Sequence, residues 1–270
     1  MKNSEKNKGY ILVTGAFGGM GRASVKHFAE LGYTVFALDL NGDSEDESII
    51  PIKADVSSHD SVLSALTEVK RYTEKLDAIV HFAGVYMLDS LLEMDVSAFD
   101  RIMDINLRGV FLVNKIFRPL LSEGSRILIT TSELAPLDPL PFTGIYAVSK
   151  AALDKYAYSL AMEMQLLGIR VSVLRAGAVD TGMLGASMSA LDRFCEKTEL
   201  YSCNAKRFKR IVESVEAKNV APEKIAVKCG KILGKHRPKF AYSINRNPLL
   251  LLLNLLPKRL QLFIIRKILK

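Results

Sequence analysis

Along the first two thirds of the chain, short unbroken apolar runs alternate with longer stretches in which apolar residues recur at helical spacing. The runs Tyr10–Thr14, Thr34–Leu38, Ile49–Ala54, Ala78–Phe82, Arg126–Thr131 and Arg170–Leu174 predict strands. Between them the spacing predicts helices from the turn after Thr14 to Leu31, over Ser61–Tyr72, around Phe99–Leu121, and over Thr143–Leu167. Strands that are apolar at nearly every position, rather than at every second one, fit a sheet covered on both faces. Strand and helix in strict alternation imply parallel βαβ units with right-handed crossovers, and hence an α/β fold.

After Thr181 the pattern loosens. Residues 182–220 are compatible with helix but rich in Met, Ser and charge, and read as a segment that covers a ligand crevice. Ala221–Leu233 predicts a helix opened by Pro222, and Lys239–Ser243 a last strand. Residues 1–247 are therefore expected to form one domain, with 182–220 as its lid and 248–270 as an apolar, basic helical tail.

Charge sharpens the picture of that tail. The chain carries +8 overall, but residues 1–223 hold 25 Lys/Arg against 29 Asp/Glu, while residues 224–270 hold 12 Lys/Arg and no acid. A body at −4 with a tail at +12 argues against a nucleic-acid binder. The stretch Pro248–Pro257 is too short to span a bilayer. Lys258–Lys270 mixes Leu260, Phe263, Ile264 and Leu269 with Arg259, Arg266, Lys267 and Lys270, a pattern suited to lying on a membrane surface or to packing on the body or a dimer partner.

Cys195, Cys203 and Cys229 lack metal-ligand or disulfide spacing, and His27, His59, His81 and His236 stand apart, so no metal site is expected. Met1–Lys8 is polar and is followed by no signal-like apolar stretch, so a cytoplasmic rather than secreted protein is expected.

Two clusters carry candidate chemistry. Thr14, Gly15, Gly19, Met20 and Gly21 lie in a glycine-rich turn between the first strand and first helix, where backbone N–H groups and the helix dipole favour a pyrophosphate. Asp39 ends the second strand, where a carboxylate accepts from ribose hydroxyls and repels a 2′-phosphate, so NAD is expected over NADP. The second cluster is Tyr146 and Lys150, one helical turn apart and so on one face. An ammonium beside a phenol stabilises phenolate and brings its proton within reach of general acid–base work.

Taken with other residues in order, these clusters resemble the short-chain dehydrogenase/reductase family over about residues 10–181. Thr14–Gly21 is similar to the family's TGxxxGxG, Asp55-Val56 to its adenine-contacting pair, and His81-Phe82-Ala83-Gly84 to its NNAG. Asn106, Ser132, Tyr146 and Lys150 are similar to its catalytic set, and Arg175-Ala176-Gly177 with Thr181 to its PGxxxT. The chain departs from the pattern at His81, Phe82 and Ala176, and in the fourteen-position step from Ser132 to Tyr146, which leaves Thr131 or Thr130 as stand-ins for Ser132.

The resemblance implies a Rossmann-like doubly wound parallel sheet of about seven strands and an NAD(P)-dependent oxidoreductase. Tyr146 would exchange the substrate proton, Ser132 hold the substrate oxygen, Lys150 hold the nicotinamide ribose, Asn106 keep a water in line, and Thr181 anchor the carboxamide. Ala83 and Gly84 would lie against the cofactor, with Asp55 and Val56 at its adenine end. Some members act on steroids or retinoids and carry hydrophobic tails, so a small lipophilic alcohol or ketone is the expected substrate, with Met183, Leu184, Met188, Leu191 and Phe194 as pocket residues. A homo-oligomer is expected. A catalytically silent NAD(H) sensor or membrane scaffold, and an epimerase or lyase on the same fold, are the rival readings.

Overall fold

The computed structural model describes residues 7–214 and 219–270, without the side chains of 183–187 and Ser214. Seven parallel strands form one sheet in the order β3-β2-β1-β4-β5-β6-β7. They are β1 Tyr10–Thr14, β2 Thr34–Asp39, β3 Ile49–Lys53, β4 Leu76–His81, β5 Leu121–Ser132, β6 Arg170–Ala176 and β7 Ala241–Ile244. The order reverses between β1 and β4, so their carboxyl ends flank a crevice of the kind in which open α/β sheets bind ligands.

The unbroken apolar runs reflect two cores. On β1, Leu12 faces one core and Ile11 and Val13 the other; on β2, Phe36 and Leu38 oppose Val35 and Ala37. Helices α2 (His59–Val69), α4 (Gly109–Phe117) and α5 (Gly144–Met164) close the first core. Helices α1 (Gly19–Glu30) and α8 (Pro222–Leu233) close the second through Val25, Phe28, Ile225 and Ile232. Each such fully buried aliphatic or aromatic side chain contributes roughly 1.5–3 kcal/mol. Pro51 is tolerated in β3 because that strand lies at the sheet edge.

Some predicted boundaries are drawn differently. The helix expected around Phe99–Leu121 is α3 (Val96–Met103), a π-helical turn at Asp104–Arg108, and α4. The fifth strand begins at Leu121 rather than Arg126, with a register shift against β4 between Leu76 and Ala78. The expected helical tail is two helices: α9 (Pro248–Asn254) ends before Pro257, which disfavours helix in the residue ahead of it, and α10 (Lys258–Leu269) follows.

Helices α6 (Gly182–Lys197) and α7 (Ser202–Ser214) join α10 in a third, smaller core of Leu88, Leu191, Phe194, Ala205, Phe208 and Leu269. The tail is held to the body by polar bonds as well. Asn254 Oδ1 accepts from the Asp138 N–H at 2.6 Å, Gln261 Nε2 donates to Asp138 Oδ2 at 3.0 Å, and Asn204 Nδ2 donates to the Leu269 carbonyl at 2.7 Å. Among the described residues no helix is long and apolar enough to cross a membrane.

Candidate active site

The glycine-rich turn is shaped by two positions that admit no side chain. Gly15 has φ +65°, and a Cβ there would sit 2.5 Å from the Ala83 nitrogen. A Cβ on Gly21 would lie 1.9 Å from the Gly15 carbonyl oxygen. A third contact links distant parts of the chain, because a Cβ on Gly19 would meet the Thr181 methyl at 2.5 Å. Thr181 is the N-cap residue of α6, and Met20 joins it on the wall of the same cavity. Thr14 ties the turn to β4: its carbonyl accepts the Phe82 N–H at 2.9 Å, and its hydroxyl the Ala83 N–H at 3.4 Å.

At the end of β2, Asp39 Oδ2 accepts the Phe17 N–H at 2.8 Å and Oδ1 the Leu40 N–H at 2.8 Å, so the carboxylate braces the turn. The Arg22 guanidinium lies over the Phe17 ring at 5.9 Å, placing a cation beside that turn. Asp55 Oδ1 accepts from the N–H and hydroxyl of Ser57, while Val56 is buried against Gly109.

The reactive end is built by β4, β5 and the first turns of α5. Tyr146 packs on Tyr86, with ring centroids 4.9 Å apart, and hydrogen-bonds Ser132 at the end of β5. Burial pushes the Tyr146 phenol up to about 12, opposed by the Ser132 hydrogen bond and reinforced by Tyr86. The Lys150 Nζ lies 5.8 Å from the Tyr146 ring centroid, and burial drags its pKa down to about 8. Among the described residues this ammonium donates to no acceptor. It lies instead near Gly84, where an added Cβ would find Nζ at 3.3 Å and Asn106 Oδ1 at 3.2 Å. A cationic donor with no acceptor among the described residues, beside a glycine that keeps the space next to it open, fits the hydroxyls of a nicotinamide ribose.

Asn106 explains the π-helical turn that carries it. The turn directs its amide inward, where Oδ1 accepts the Val85 N–H at 2.8 Å and Nδ2 donates to the Val85 carbonyl at 3.0 Å and Ser149 Oγ at 3.1 Å. It thus clamps the segment after Gly84 to helix α5. Of the alternatives to Ser132, Thr131 spends its Oγ1 on Asp154 Oδ1 at 3.4 Å, and Thr130 Oγ1 is buried without a partner among the described residues.

A cavity of about 250 Å³ opens on Ser132 and Tyr146, walled by Met20, Tyr86, Leu140, Val179 and Leu250. Three of these were not signalled by motif. Tyr86 follows Ala83-Gly84 by two residues, which was its only cue; Leu140 lies in the loop before α5; and Leu250 comes from the tail. Glu133, next to Ser132, also faces the cavity, and its Oε2 accepts the Asn247 N–H at 2.6 Å, fixing the start of α9. Burial raises the Glu133 pKa against the pull of that bond and of Arg246.

The pocket residues expected on α6 fall differently. Leu191 and Phe194 are buried in the third core rather than in the cavity wall, because α6 turns its apolar stripe toward α7. Met188 is half-buried and is not among the wall residues, while the side chains of Met183 and Leu184 lie outside those described. His81, standing where the family pattern has asparagine, is buried, and Nε2 bonds Asn114 Oδ1 at 3.0 Å. Burial holds its pKa down at about 4, so it is neutral at pH 7.

Residues 9–192 match the family model described as short chain dehydrogenase. The chain belongs to the short-chain dehydrogenase family. Mouse estradiol 17-beta-dehydrogenase 2 is 31% identical over 191 residues, covering 65% of this chain and 49% of that protein. The NADPH-dependent 1-acyldihydroxyacetone phosphate reductase of Schizosaccharomyces pombe is 29% identical over 178 residues, 64% of this chain and 60% of that protein. The chain thus spans about half to three fifths of the length of these two relatives. Among solved structures, the NADH complex of Brucella melitensis 3-ketoacyl-(acyl-carrier-protein) reductase superposes with a TM-score of 0.72 at 21% identity, over 88% of this chain and 97% of that one. At that identity the likeness speaks to the fold, which is the Rossmann-like fold of this dehydrogenase family.

Proposed function

We propose that this short-chain dehydrogenase is an NAD(P)-dependent oxidoreductase acting on a lipophilic alcohol/carbonyl pair. The observation that carries the reading is the convergence of Tyr146, Ser132 and the Lys150 ammonium beside Gly84, next to the Ala83 on which the glycine turn packs, at the carboxyl ends of the strands. The dinucleotide, when bound, supplies the hydride donor or acceptor. The residues of the chain manage the proton and the oxygen. Ser132 and Tyr146 hold the substrate oxygen, where charge develops as hydride moves. The Tyr146 hydroxyl gives its proton to that oxygen in reduction and takes it back in oxidation. Pushed up to about 12, the phenol is protonated at pH 7 but a weaker acid than a free tyrosine, and the lowering expected from Lys150 is not among the causes acting on it, so proton transfer relies on Ser132 and the charge developing on the substrate oxygen. Lys150 binds the ribose and steadies the phenolate left behind, and Asn106 keeps a water in line with Lys150 for proton relay. Thr181 anchors the carboxamide.

Asp39 at the end of β2, with the acidic loop Asp43–Glu47 beyond it, favours NAD over NADP; Arg22 beside the turn and Lys53, paired with Asp39 across β2 and β3, work against this. The apolar cavity wall, and the estradiol dehydrogenase among the relatives, support a steroid-like or lipid-like substrate. Residues 182–220 serve as the lid. Helices α9 and α10 dock on the body through Leu250, Gln261 and Leu269, and turn Leu249, Leu252, Leu255, Leu262 and Phe263 outward among Lys258, Arg259 and Lys267. That outward face suits an anionic membrane surface. On the other side Phe111, Met162 and Leu166 leave α4, α5 and the turn after it apolar enough for self-association.

A panel of alcohols and ketones with NAD and NADP in parallel, followed at 340 nm, tests the reading. Net turnover is expected, faster with NAD. Cofactor binding without turnover on any panel member would favour the silent sensor or scaffold, and retained NAD with no net change in NADH the epimerase. Flotation with anionic vesicles, before and after truncation at residue 247, tests the tail; equal flotation would remove the membrane role.

A further inference from the structure

A second hollow, of about 600 Å³, lies outside the catalytic cavity, between the Ser90–Leu92 segment, α7 and α10. Its volume is within the range of small-molecule sites, roughly 300–1,000 Å³. The floor is apolar: Leu91, Phe142, Ile265 and Leu269. Arg266 and Lys270 also line it, both exposed and neither in a salt bridge with another residue's carboxylate among the described residues. Acidic groups near it accept hydrogen bonds of their own: Asp89 Oδ1 takes the Ser90 N–H at 2.7 Å. Glu93 accepts from the Thr198 hydroxyl and from the Glu199 and Leu200 N–H groups, and Asp138 is held by Lys258 and Gln261.

The wall between the two hollows is a single stretch of chain. Leu140 and Thr143 face the catalytic cavity, whereas Pro141 and Phe142 face the groove. Phe142 adopts φ +66°, a left-handed conformation costly for a bulky residue, and its ring is gripped by Phe194, Tyr201 and Phe208. On the groove's other side Leu91 abuts Gly144, two residues before Tyr146; a Cβ on that glycine would meet Leu91 Cδ1 at 3.1 Å.

We propose that this groove binds one molecule of a single-chain anionic amphiphile, a long-chain carboxylate or phosphate monoester, separately from the catalytic substrate. The hydrocarbon chain lies on the apolar lining, and the head group pairs with Arg266 and Lys270, since a surface that joins an apolar trough to two cations favours that ligand class over a neutral one of the same length. The ligand is a monomer in solution rather than a bilayer, because the floor residues Ile265 and Leu269 face the body of the protein while Leu262 and Phe263 form the outward face of the same helix.

The test uses the full chain and 11-(dansylamino)undecanoic acid, without vesicles and below the concentration at which the probe aggregates. Saturable binding of one probe per chain is expected, weakened at least tenfold by Arg266→Glu, by Lys270→Glu and by Leu92→Asp. All three positions are exposed, so thermal melting should be unchanged. The uncharged dansylamino undecanol should bind at least tenfold more weakly, and NADH should not displace the acid. Absence of saturable binding overturns the proposal. So does displacement by NADH, or loss of binding in Leu250→Trp but not in Arg266→Glu, since either puts the probe in the catalytic cavity. Charge reversals that alter only flotation with anionic vesicles also overturn it, leaving α10 as a membrane surface alone.

Discussion

Replacing Lys150 by methionine should stabilise the fold while abolishing its chemistry. Lys150 is buried to 6% exposure, its ammonium donates to no acceptor among the described residues, and desolvation takes its pKa from 10.5 to about 8. The unfolded chain therefore binds this proton more tightly than the folded one. Well below pH 8 both states are charged, and folding carries the whole penalty of burying the charge. As pH rises from 8 to 10.5 the folded lysine is already neutral while the unfolded one still titrates, so the penalty fades. With 1.36 kcal/mol per pKa unit, the shift amounts to about 3 kcal/mol at pH 7 and less than about 0.5 kcal/mol at pH 10.5. Methionine has a similar length and no charge, so urea unfolding of parent and variant at pH 7, 9 and 10.5 reads the penalty directly. The expected result is a more stable variant at pH 7, with the advantage shrinking steadily toward pH 10.5. A variant of equal or lower stability at pH 7, or an advantage that does not change with pH, would show that the ammonium is not buried unpaired and would refute the reasoning. A stability gain joined to loss of turnover is the signature of a residue kept for function.

Other changes test neighbouring parts of the site. Burial holds the His81 pKa at about 4 instead of 6.5, so stability is lost as pH falls from 6.5 toward 4. Relative to His81→Asn, the parent should lose about 2 kcal/mol between pH 7 and pH 5, measured by urea unfolding; parallel curves would show that the imidazole is not desolvated. Gly21→Ala puts a methyl 1.9 Å from a backbone oxygen, so the turn must shift. NADH affinity, read by fluorescence titration, should fall at least tenfold. Arg175→Met leaves Asp154 without the guanidinium that bonds both its oxygens, at 3.0 and 2.7 Å, and should cost about 2–4 kcal/mol in urea unfolding.

The sheet was legible because burial on both faces writes each strand as an apolar run, and six of the seven strands follow from that alone. The short edge strand β7 was placed two residues early, since Lys239 spends its carbonyl on Ser172 Oγ and its N–H on Tyr242 Oη outside the ladder. The π-helical turn around Asn106 left no trace in periodicity, because one extra residue per turn does not disturb a helical pattern over so few positions. Tyr146 and Lys150 were readable because spacing puts i and i+4 on one face and because, with Gly84, they fall in order within the family pattern that the chain resembles. Tyr86, Leu140 and Leu250 were not, since a cavity wall needs only apolar bulk, and many residues of the chain offer that. Leu191 misled for the same reason: an amphipathic stripe does not say which neighbour it faces.

The most direct test of the central claim is Tyr146→Phe, which deletes one oxygen and leaves the ring on Tyr86. General acid–base catalysis contributes about 10²- to 10⁴-fold, so kcat for any substrate the parent turns over should fall by at least a hundredfold, while NADH binds with unchanged affinity. A variant that keeps the parent's kcat would contradict the account, because the proton would then be moving through some other group.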